Sequence, residues 1–491
     1  MIPQKLVPTL TATVCFTLAI FFSTMFLTSA EAAPNSEEKP VLQIASLETC
    51  IQTALENNRR RPASRYAIEM AEAQHRQALA GYWPQIGLQG GYQRMDESPN
   101  FIFPSSTIAM PMGGSIPVTI PGVGTIPANS FSVPAQDVKL MDEESYRASL
   151  ETTWLLYDGG LRKGYREQTK GLVEAMKQES RRTDLEIIDS VKRFYYGAVL
   201  ATKLRQLGND TLARMEATLN LTETMYKEGS GRVKKTDWLD NKVMVETLRS
   251  MVALLEKNEL MAQAALANTM GMSWNASVKP VDQEMPYKPI PEQLDGLVTT
   301  AYRFNPDWAR LEAGLSAAKG AVRSAKSGHF PKVALKGELF KWWNDYDAGM
   351  ATNRNKDGWN VGVGVEVPLF AGFLTQNKVA ETRARVAKIK EEQFLLKEGI
   401  GLQIKDTVLA LDAAQKTYQA TLNAMTAAEE SRDLNTRAYQ NELVETADVI
   451  KAQLMEALMS AQHFKACYEH VALQSQLNLV VGTEVLKKIE E

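Results

Sequence analysis

The 491-residue chain is poor in the residues that most often carry chemistry: it has three cysteines (Cys15, Cys50, Cys467) and four histidines (His75, His329, His463, His470). That scarcity leaves little material for a disulfide framework or a histidine-based metal cluster. Charge of one sign is missing too. Fifty-five Lys and Arg against 58 Asp and Glu give a net charge of −3 and a pI near 6.0, which excludes an electrostatic nucleic-acid binder. Beyond the leader, no stretch offers the ~20 uninterrupted apolar residues that a helix needs to cross a bilayer. Mean hydropathy is −0.25, so a polytopic helical membrane protein is excluded. No Gly-rich phosphate loop and no Ser/His/Asp arrangement in a recognisable context is present, so an enzyme is not indicated. Function has to come mostly from shape.

Residues 1–32 read as a secretory signal peptide. Lys5 supplies the positive start, an apolar stretch runs from Leu10 to Leu27, and Ala30-Glu31-Ala32 fits the small-x-small cleavage pattern, placing cleavage near Ala32. Export would set Cys50 and Cys467 in an oxidising compartment; spacing leaves open whether they pair or stay as two buried thiols. The mature chain is then either soluble in that compartment or crosses a membrane by strands.

The chain is duplicated, which is the first thing to establish in any long sequence. Leu47, Ile51, Ala54 and Asn58 recur as Leu294, Val298, Ala301 and Asn305; Trp83-Pro84 recurs as Phe330-Pro331. Tyr157-Asp158-Gly159 matches Phe370-Ala371-Gly372, Tyr226 matches Tyr439, Asp237 matches Asp448, and Leu266–Gly271 matches Leu477–Gly482. The order is the same in both halves.

Residues 33–272 form a first structural repeat, 273–291 a Pro-marked linker, 292–483 a second repeat and 484–491 a tail. Each repeat opens on one helix, Leu47 to Gly81 and Leu294 to Ser327, stopped by the following Pro. Period-two segments follow at about 85–95 and 146–156, and at about 332–343 and 358–368. Trp359, Val361, Val363, Val365 and Val367 alternate with Asn360, Gly362, Gly364 and Glu366. Such ~10-residue strands with one apolar and one polar face suit a transmembrane barrel, although a half-buried soluble sheet alternates in the same way. Next comes a Pro-free rod, about 161–228 and 374–440, that would reach ~100 Å if continuous. Heptad spacing marks both rods: Leu212, Met215, Leu219, Thr222, Tyr226 in one, and Val408, Leu411, Gln415, Tyr418, Leu422, Met425 in the other. Tip turns at 229–236 and 441–447 lead to return helices at 237–271 and 448–481.

Four strands decide the matter. A sheet cannot leave its edge in lipid, and four strands cannot close a barrel, so several chains must pool theirs. Helices leaving one end of that barrel would line a tube. An exported structural coiled coil without a pore is the competing reading; it leaves the aromatic-rich alternating segments unexplained. A conventional porin does not fit the helical bulk.

In these features the chain resembles the TolC-like outer-membrane efflux proteins. The resemblance covers nearly the whole mature chain: the Leu47–Asn58 opening, Trp83-Pro84 at strand entry, the duplicated strand-strand-rod order, Tyr-x-x-Gly near an Asp at the turn, and the Leu-to-Gly endings. It implies a mainly α fold with a membrane β-barrel: a homotrimer whose twelve-stranded barrel, set in outer-membrane lipid, continues into a periplasmic α-helical barrel. It also implies a passive exit duct, without cofactor or nucleic acid, for a tripartite efflux or type I secretion system. The partners would be a periplasmic adaptor (membrane fusion) protein and an inner-membrane transporter of RND, ABC or MFS type. By the same resemblance Asp448 matches the channel constriction, where three carboxylates would attract cations. Tyr439 matches a gate tyrosine whose partners would be Thr236 and Asp237, and Gly229 and Leu443 match tip positions that touch the adaptor. Val444 and Lys451 stand where the family often has a gate Arg and a second constriction Asp, and the first turn carries two extra residues within Gly231–Lys235.

Two features fall outside this scheme. The first repeat carries an excess in Ser98–Asp142, with seven prolines and no charge before Asp137, expected as an exposed strand-strand loop, a surface loop or a cap over the mouth. His463, Cys467 and His470 share one helix face, but three ligands on a straight helix converge poorly on a metal. No metal site is expected there.

Overall fold

The computed structural model describes residues 42–109, 116–120, 124–128, 130–229, 233–289, 294–343 and 356–484. The expected signal peptide and its cleavage point, Ser230 to Arg232 of the first tip turn, most of the second strand-strand loop and all of the tail beyond Glu484 lie outside these residues.

In chain order the elements are β1 (Leu42–Ala45), α1 (Leu47–Asn57), α2 (Arg60–Ala80), β2 (Gln85–Arg94), β3 (Asn100–Phe103), β4 (Ser106–Ala109), β5 (Ile116–Ile120), β6 (Gly124–Ala128), β7 (Ser130–Val133), β8 (Gln136–Lys139) and β9 (Glu144–Tyr157). The rod α3 (Leu161–Lys227) and return helix α4 (Lys235–Thr269) complete the first repeat. Then come β10 (Ser277–Pro280), α5 (Leu294–Phe304), α6 (Pro306–Lys326), β11 (Lys332–Trp343), β12 (Asp357–Glu366), the rod α7 (Leu374–Gln440) and return helix α8 (Thr446–Val481). Among these helices none is long and apolar enough to cross a membrane.

The single opening helix expected in each repeat is two. Asn58 and Asn305 leave the helical region, with ψ of 122° and 123°, and their side chains do two jobs. Each Oδ1 accepts the N–H two residues on, from Arg60 (3.0 Å) or Asp307 (2.8 Å). Each Nδ2 donates to the carbonyl ending a return helix, Thr269 (2.8 Å) or Val480 (2.7 Å). Gly271 and Gly482 follow at φ 78° and 82°, and a side chain on either would run into the backbone of Asn57 or Phe304. Satisfying helix-end carbonyls with a side-chain amide and a left-handed glycine locks each repeat shut. Around each lock sits a core: Cys50, Ala54, Ile187, Val191, Leu266 and Met270 in the first, Leu297, Ala301, Ile400, Ile404, Leu477 and Val481 in the second. Position for position these are the same residues of the repeat. Within the linker the Ser277–Pro280 strand pairs with β1, and Val278 enters the first core.

β12, β11, β9 and β2 form one antiparallel sheet in that order. Leu88, Leu150, Leu339 and Trp359 lie in register across it, as do Trp154, Leu335 and Val363. This apolar face is open: Leu88 is 79% and Trp359 73% exposed. The other face carries the polar pairs, Arg147 to Glu338 at 2.6 Å, Asn360 to Glu338 at 2.9 Å and Gln89 to Glu151 at 3.1 Å. A sheet of a water-soluble domain buries its greasy face; here the arrangement is inside out, as in a lipid-facing strand set. Beyond β2 and β9, the Pro-rich segment is a ribbon and not an irregular loop: β3 pairs with β8, β4 with β7 and β5 with β6.

At the joint between sheet and rod, Asp158 is buried. It accepts from the Gly160 N–H (2.9 Å), the Arg162 N–H (2.8 Å) and the Arg162 guanidinium (2.8 Å). Burial pushes its pKa up, but these hydrogen bonds outweigh that and leave it below the usual Asp value. The second repeat has Ala371 and Thr375 at the matching positions, so the ion pair exists once per chain. Both rods run the full helical length. Near the sheet the helices lie side by side as α2, α3, α6, α7, and toward the far end as α4, α3, α8, α7.

Candidate functional site at the helical tip

Each rod is followed two residues on by a residue in the left-handed region. Gly229 takes φ 73°, and Glu442, its counterpart, takes φ 57°. At the second turn the Glu442 N–H donates to Tyr439 O (2.9 Å) and the Leu443 N–H to Ala438 O (2.8 Å), closing the last carbonyls of α7. Glycine accepts the left-handed conformation freely; Glu442 is strained there by about 1–2 kcal/mol. Leu443 projects from the turn, 77% exposed, and Gly229 is exposed as well.

Each return helix begins two residues earlier than expected, at Lys235 and Thr446. Asp237 and Asp448 thereby become third residues of their helices. Asp237 Oδ2 accepts the Lys234 N–H (2.9 Å), and Asp448 Oδ2 accepts the Glu445 N–H (3.3 Å). Both carboxylates sit where unpaired amides and the helix dipole favour negative charge. Thr236 donates its hydroxyl to Asp237 Oδ1 (3.3 Å). Asp448 remains exposed. A cleft of about 520 Å³ brings Asp237, Tyr439, Leu443 and Asp448 together.

Tyr439 itself is buried, 4% exposed. Within this chain its hydroxyl meets Thr222 Oγ1 (2.9 Å) and Thr446 Oγ1 (3.0 Å), and not Thr236 or Asp237. The direction of this chain of bonds follows from its end. Thr222 spends its proton on the Thr218 carbonyl (2.7 Å), so Tyr439 donates to Thr222 and Thr446 donates to Tyr439. The seam continues away from the tip. Gln453 donates to Thr218 Oγ1 (3.0 Å), and Glu456, on α8, is held by Arg214 of α3 (2.8 Å) and Arg432 of α7 (3.2 Å). Three buried polar atoms along it, Arg214 Nε, Asn241 Oδ1 and Gln453 Oε1, have no protein partner among the described residues. A buried polar seam left incomplete is costly, and it joins α3 to α7 and α8. Sequence reasoning missed these residues. The available signal was Thr222, a polar residue at a heptad seam position.

On the histidine face Cys467 Sγ lies 3.7 Å from His463 Nε2. His463 Nδ1 lies 3.3 Å from Thr421, and His470 Nε2 donates to Lys288 O at 3.1 Å. Tyr287, in the linker, stacks on Tyr418 at 4.0 Å and meets the His470 ring at 4.6 Å with the planes tilted by 37°, strapping the linker to α7 and α8. Cys50 and Cys467 are free thiols, both pushed up to about 11 by burial.

An outward apolar sheet prolonged by paired rods defines an outer-membrane duct. The family model for the outer membrane efflux protein matches residues 50–272 and 297–483, one block per repeat; the chain belongs to that family, whose place is the Gram-negative outer membrane and whose work is efflux or secretion. It is similar to nodulation protein T of Rhizobium leguminosarum bv. trifolii, 21% identical over 74% of this chain and 79% of that protein. It is also similar to the cation efflux system protein CusC of Escherichia coli O157:H7, 22% identical over 77% and 74% of the two chains. A solved structure of CusC superposes with a TM-score of 0.69 at 17% identity, covering 92% of this chain and 96% of that one.

Proposed function

We propose that three copies close one twelve-stranded barrel and one helical tunnel, forming a passive exit duct. The observation that carries this is a pair of open edges in both layers. Among the described residues β2 and β12 have no outer partner. In the helical layer α7 presents Leu395, Leu402 and Leu409, 71%, 69% and 60% exposed, every seventh residue, and α4 on the other edge presents Val243, Leu254 and Met261. A heptad stripe without a partner is half of a coiled-coil seam, and the two edges differ, so the contact is head to tail and closes a ring. Two copies would close eight strands, whose inward side chains fill the lumen; three is the smallest number that leaves a passage.

In this reading the tip is the periplasmic gate. Three Asp448 carboxylates face the passage and favour cations, Tyr439 ties the second hairpin to the first, and Gly229 and Leu443 meet a periplasmic adaptor. An energised inner-membrane transporter of RND, ABC or MFS type supplies the drive, and substrate choice rests with it. The relatives' names, one for nodulation and one for cation efflux, accord with a shared duct serving different cargo. Native mass spectrometry of protein extracted from outer membranes, with bilayer conductance of the same sample, tests the proposal. Trimers that conduct are expected; a water-soluble monomer without conductance would overturn it.

A further inference from the structure

The two repeats supply a template for a contact that one chain cannot make. Inside the chain the rod of the first repeat, α3, packs on α6 of the second at close quarters. A methyl added at Gly171 would stand 2.8 Å from the Ala313 carbonyl oxygen and 2.9 Å from Ala317 Cβ, and one added at Gly164 would stand 2.8 Å from the Gly320 carbonyl oxygen. Ion pairs flank that crossing: Glu167 with Arg323, Glu179 with Arg310 and Arg182 with Asp307. The duplicate of this helix pair is α7 with α2, taken at the same repeat offsets as Gly159 with Gly372 and Trp83 with Phe330. Those two helices lie at opposite edges of the helical layer, α2 beside α3 and α7 beside α6, so they can meet only between copies.

We propose that near the sheet α2 of one copy docks on α7 of the next in the register of α6 on α3, with Tyr66 and Met70 seated against Ala384. The inference rests on the three-copy assembly above and names its contact at the sheet end of the rods. Carried across the duplication, Ala313 becomes Tyr66, Ala317 becomes Met70 and Gly171 becomes Ala384. Tyr66 and Met70 are also the two large apolar residues that α2 leaves exposed, 63% and 65%, an observation independent of the duplication. Ala384 is exposed, with the small Ala380 one turn away, which makes a hollow for two knobs. Charge has left the duplicate crossing: Glu167, Arg310 and Arg182 become Ala380, Ala63 and Leu395. The members that remain have partners in their own copy, Arg76 with Glu72, Glu392 with Lys388 and Arg60 with Glu186, so an apolar contact strands no charge. Leu395 also opens the exposed stripe that α7 carries farther down, which makes the two stretches one continuous edge. Tyr66 and Met70 need more room than Ala313 and Ala317, so close helix contacts within copies alternate with wider ones between them.

The test uses full-length protein from outer membranes carrying Met70→Cys and Ala384→Cys, treated with a short bis-maleimide. Cys50 and Cys467 stay in place as buried thiols, and the parent chain is the blank. Native mass spectrometry of the untreated sample counts copies. Covalent dimers and trimers are expected from this pair. None is expected from Met70→Cys with Leu402→Cys, whose second thiol lies ~27 Å farther along the rod. The double truncation Tyr66→Ala, Met70→Ala should leave the folded chain intact, since both side chains are exposed in it, and should speed dissociation of trimers about ten-fold or more. Trimers by native mass that fail to crosslink through residues 70 and 384, or that crosslink equally through 70 and 402, would overturn this register and leave the duct standing. Unchanged dissociation of the truncated trimers would overturn it as well. Monomers by native mass would overturn both.

Discussion

Replacing Tyr439 by Phe removes one oxygen from a buried site and keeps the ring. That hydroxyl donates to Thr222 of the first hairpin and accepts from Thr446 of its own hairpin, so two bonds are lost for one atom removed, and one of them joins the hairpins. A net hydrogen bond contributes about 1 kcal/mol, giving about 2 kcal/mol per copy. Thr222 keeps its bond to the Thr218 carbonyl, which limits the penalty of leaving a buried group unmatched. If the seam between α3 and the second hairpin parts together in all three copies, the one bond that crosses it in each copy adds to about 3 kcal/mol, a shift of about two decades in the closed-to-open ratio. Bilayer recording should then show Tyr439→Phe channels open for a far larger fraction of the time than the parent, while trimers persist by native mass. Denaturation should show the per-copy loss as well. A variant with that loss of stability and unaltered conductance would refute the reasoning, because the bond would then hold the fold without holding the gate.

Further outcomes follow from individual contacts. Asp448→Asn keeps an acceptor for the Glu445 N–H but removes charge, so divalent block of conductance should weaken with little loss of stability; Asp448→Ala should weaken block and also cost about 1 kcal/mol in denaturation. Glu442→Gly should stabilise the second turn by about 1 kcal/mol, checked by the same measurement, because Gly229 already occupies the matching position with φ 73°. Asp158 has its folded pKa lowered, so its contribution is complete above the unfolded value near 3.9 and fades as pH falls through the folded value. Melting of Asp158→Asn should accordingly lie below the parent at neutral pH, where breaking the buried pair with Arg162 costs about 3 kcal/mol, and should begin to approach it only as pH falls below about 4. Cys50 and Cys467, pushed up to about 11, should react with maleimide only after unfolding, as read by mass spectrometry.

Strands and rods are legible in the chain because a single constraint writes each. In the proposed barrel, lipid on one face and water on the other impose the alternation of Val361, Val363 and Val365 with Asn360, Gly362 and Gly364, and long Pro-free heptads admit little except rods. The breaks at Asn58 and Asn305 are less legible. Asn is tolerated in helices, and what ends α1 and α5 is a carbonyl more than 170 residues away in sequence, Thr269 or Val480. The ribbon was hidden by the seven prolines of Ser98–Asp142, which argue against strands although two-stranded ladders leave every strand an outer edge where Pro is harmless. The tip is least legible of all. Tyr439 carries the signature of a gate residue, but its partners within the chain, Thr222 and Thr446, are ordinary threonines until the hairpins are folded together.

The duplication also explains where function has been placed. The two locks are equivalent to within their residue types: Asn58 with Gly271, Asn305 with Gly482, and the same set of core positions around each. At the tip the equivalence fails. Thr222 corresponds to Asn435 and Glu456 to Val245, so the ionic layer linking Glu456 to Arg214 and Arg432 has no twin in the first repeat. A symmetric tip would bind both flanks of each hairpin equally and give no preferred line of parting. An asymmetric one concentrates polar, incompletely satisfied contacts on the α3–α8 seam, where Arg214 Nε and Gln453 Oε1 stay unmatched while the seam is shut. Water entering on opening satisfies those atoms, offsetting part of the bonds broken. The cores hold each repeat together, and under the proposed gate this one seam is the cheapest to open.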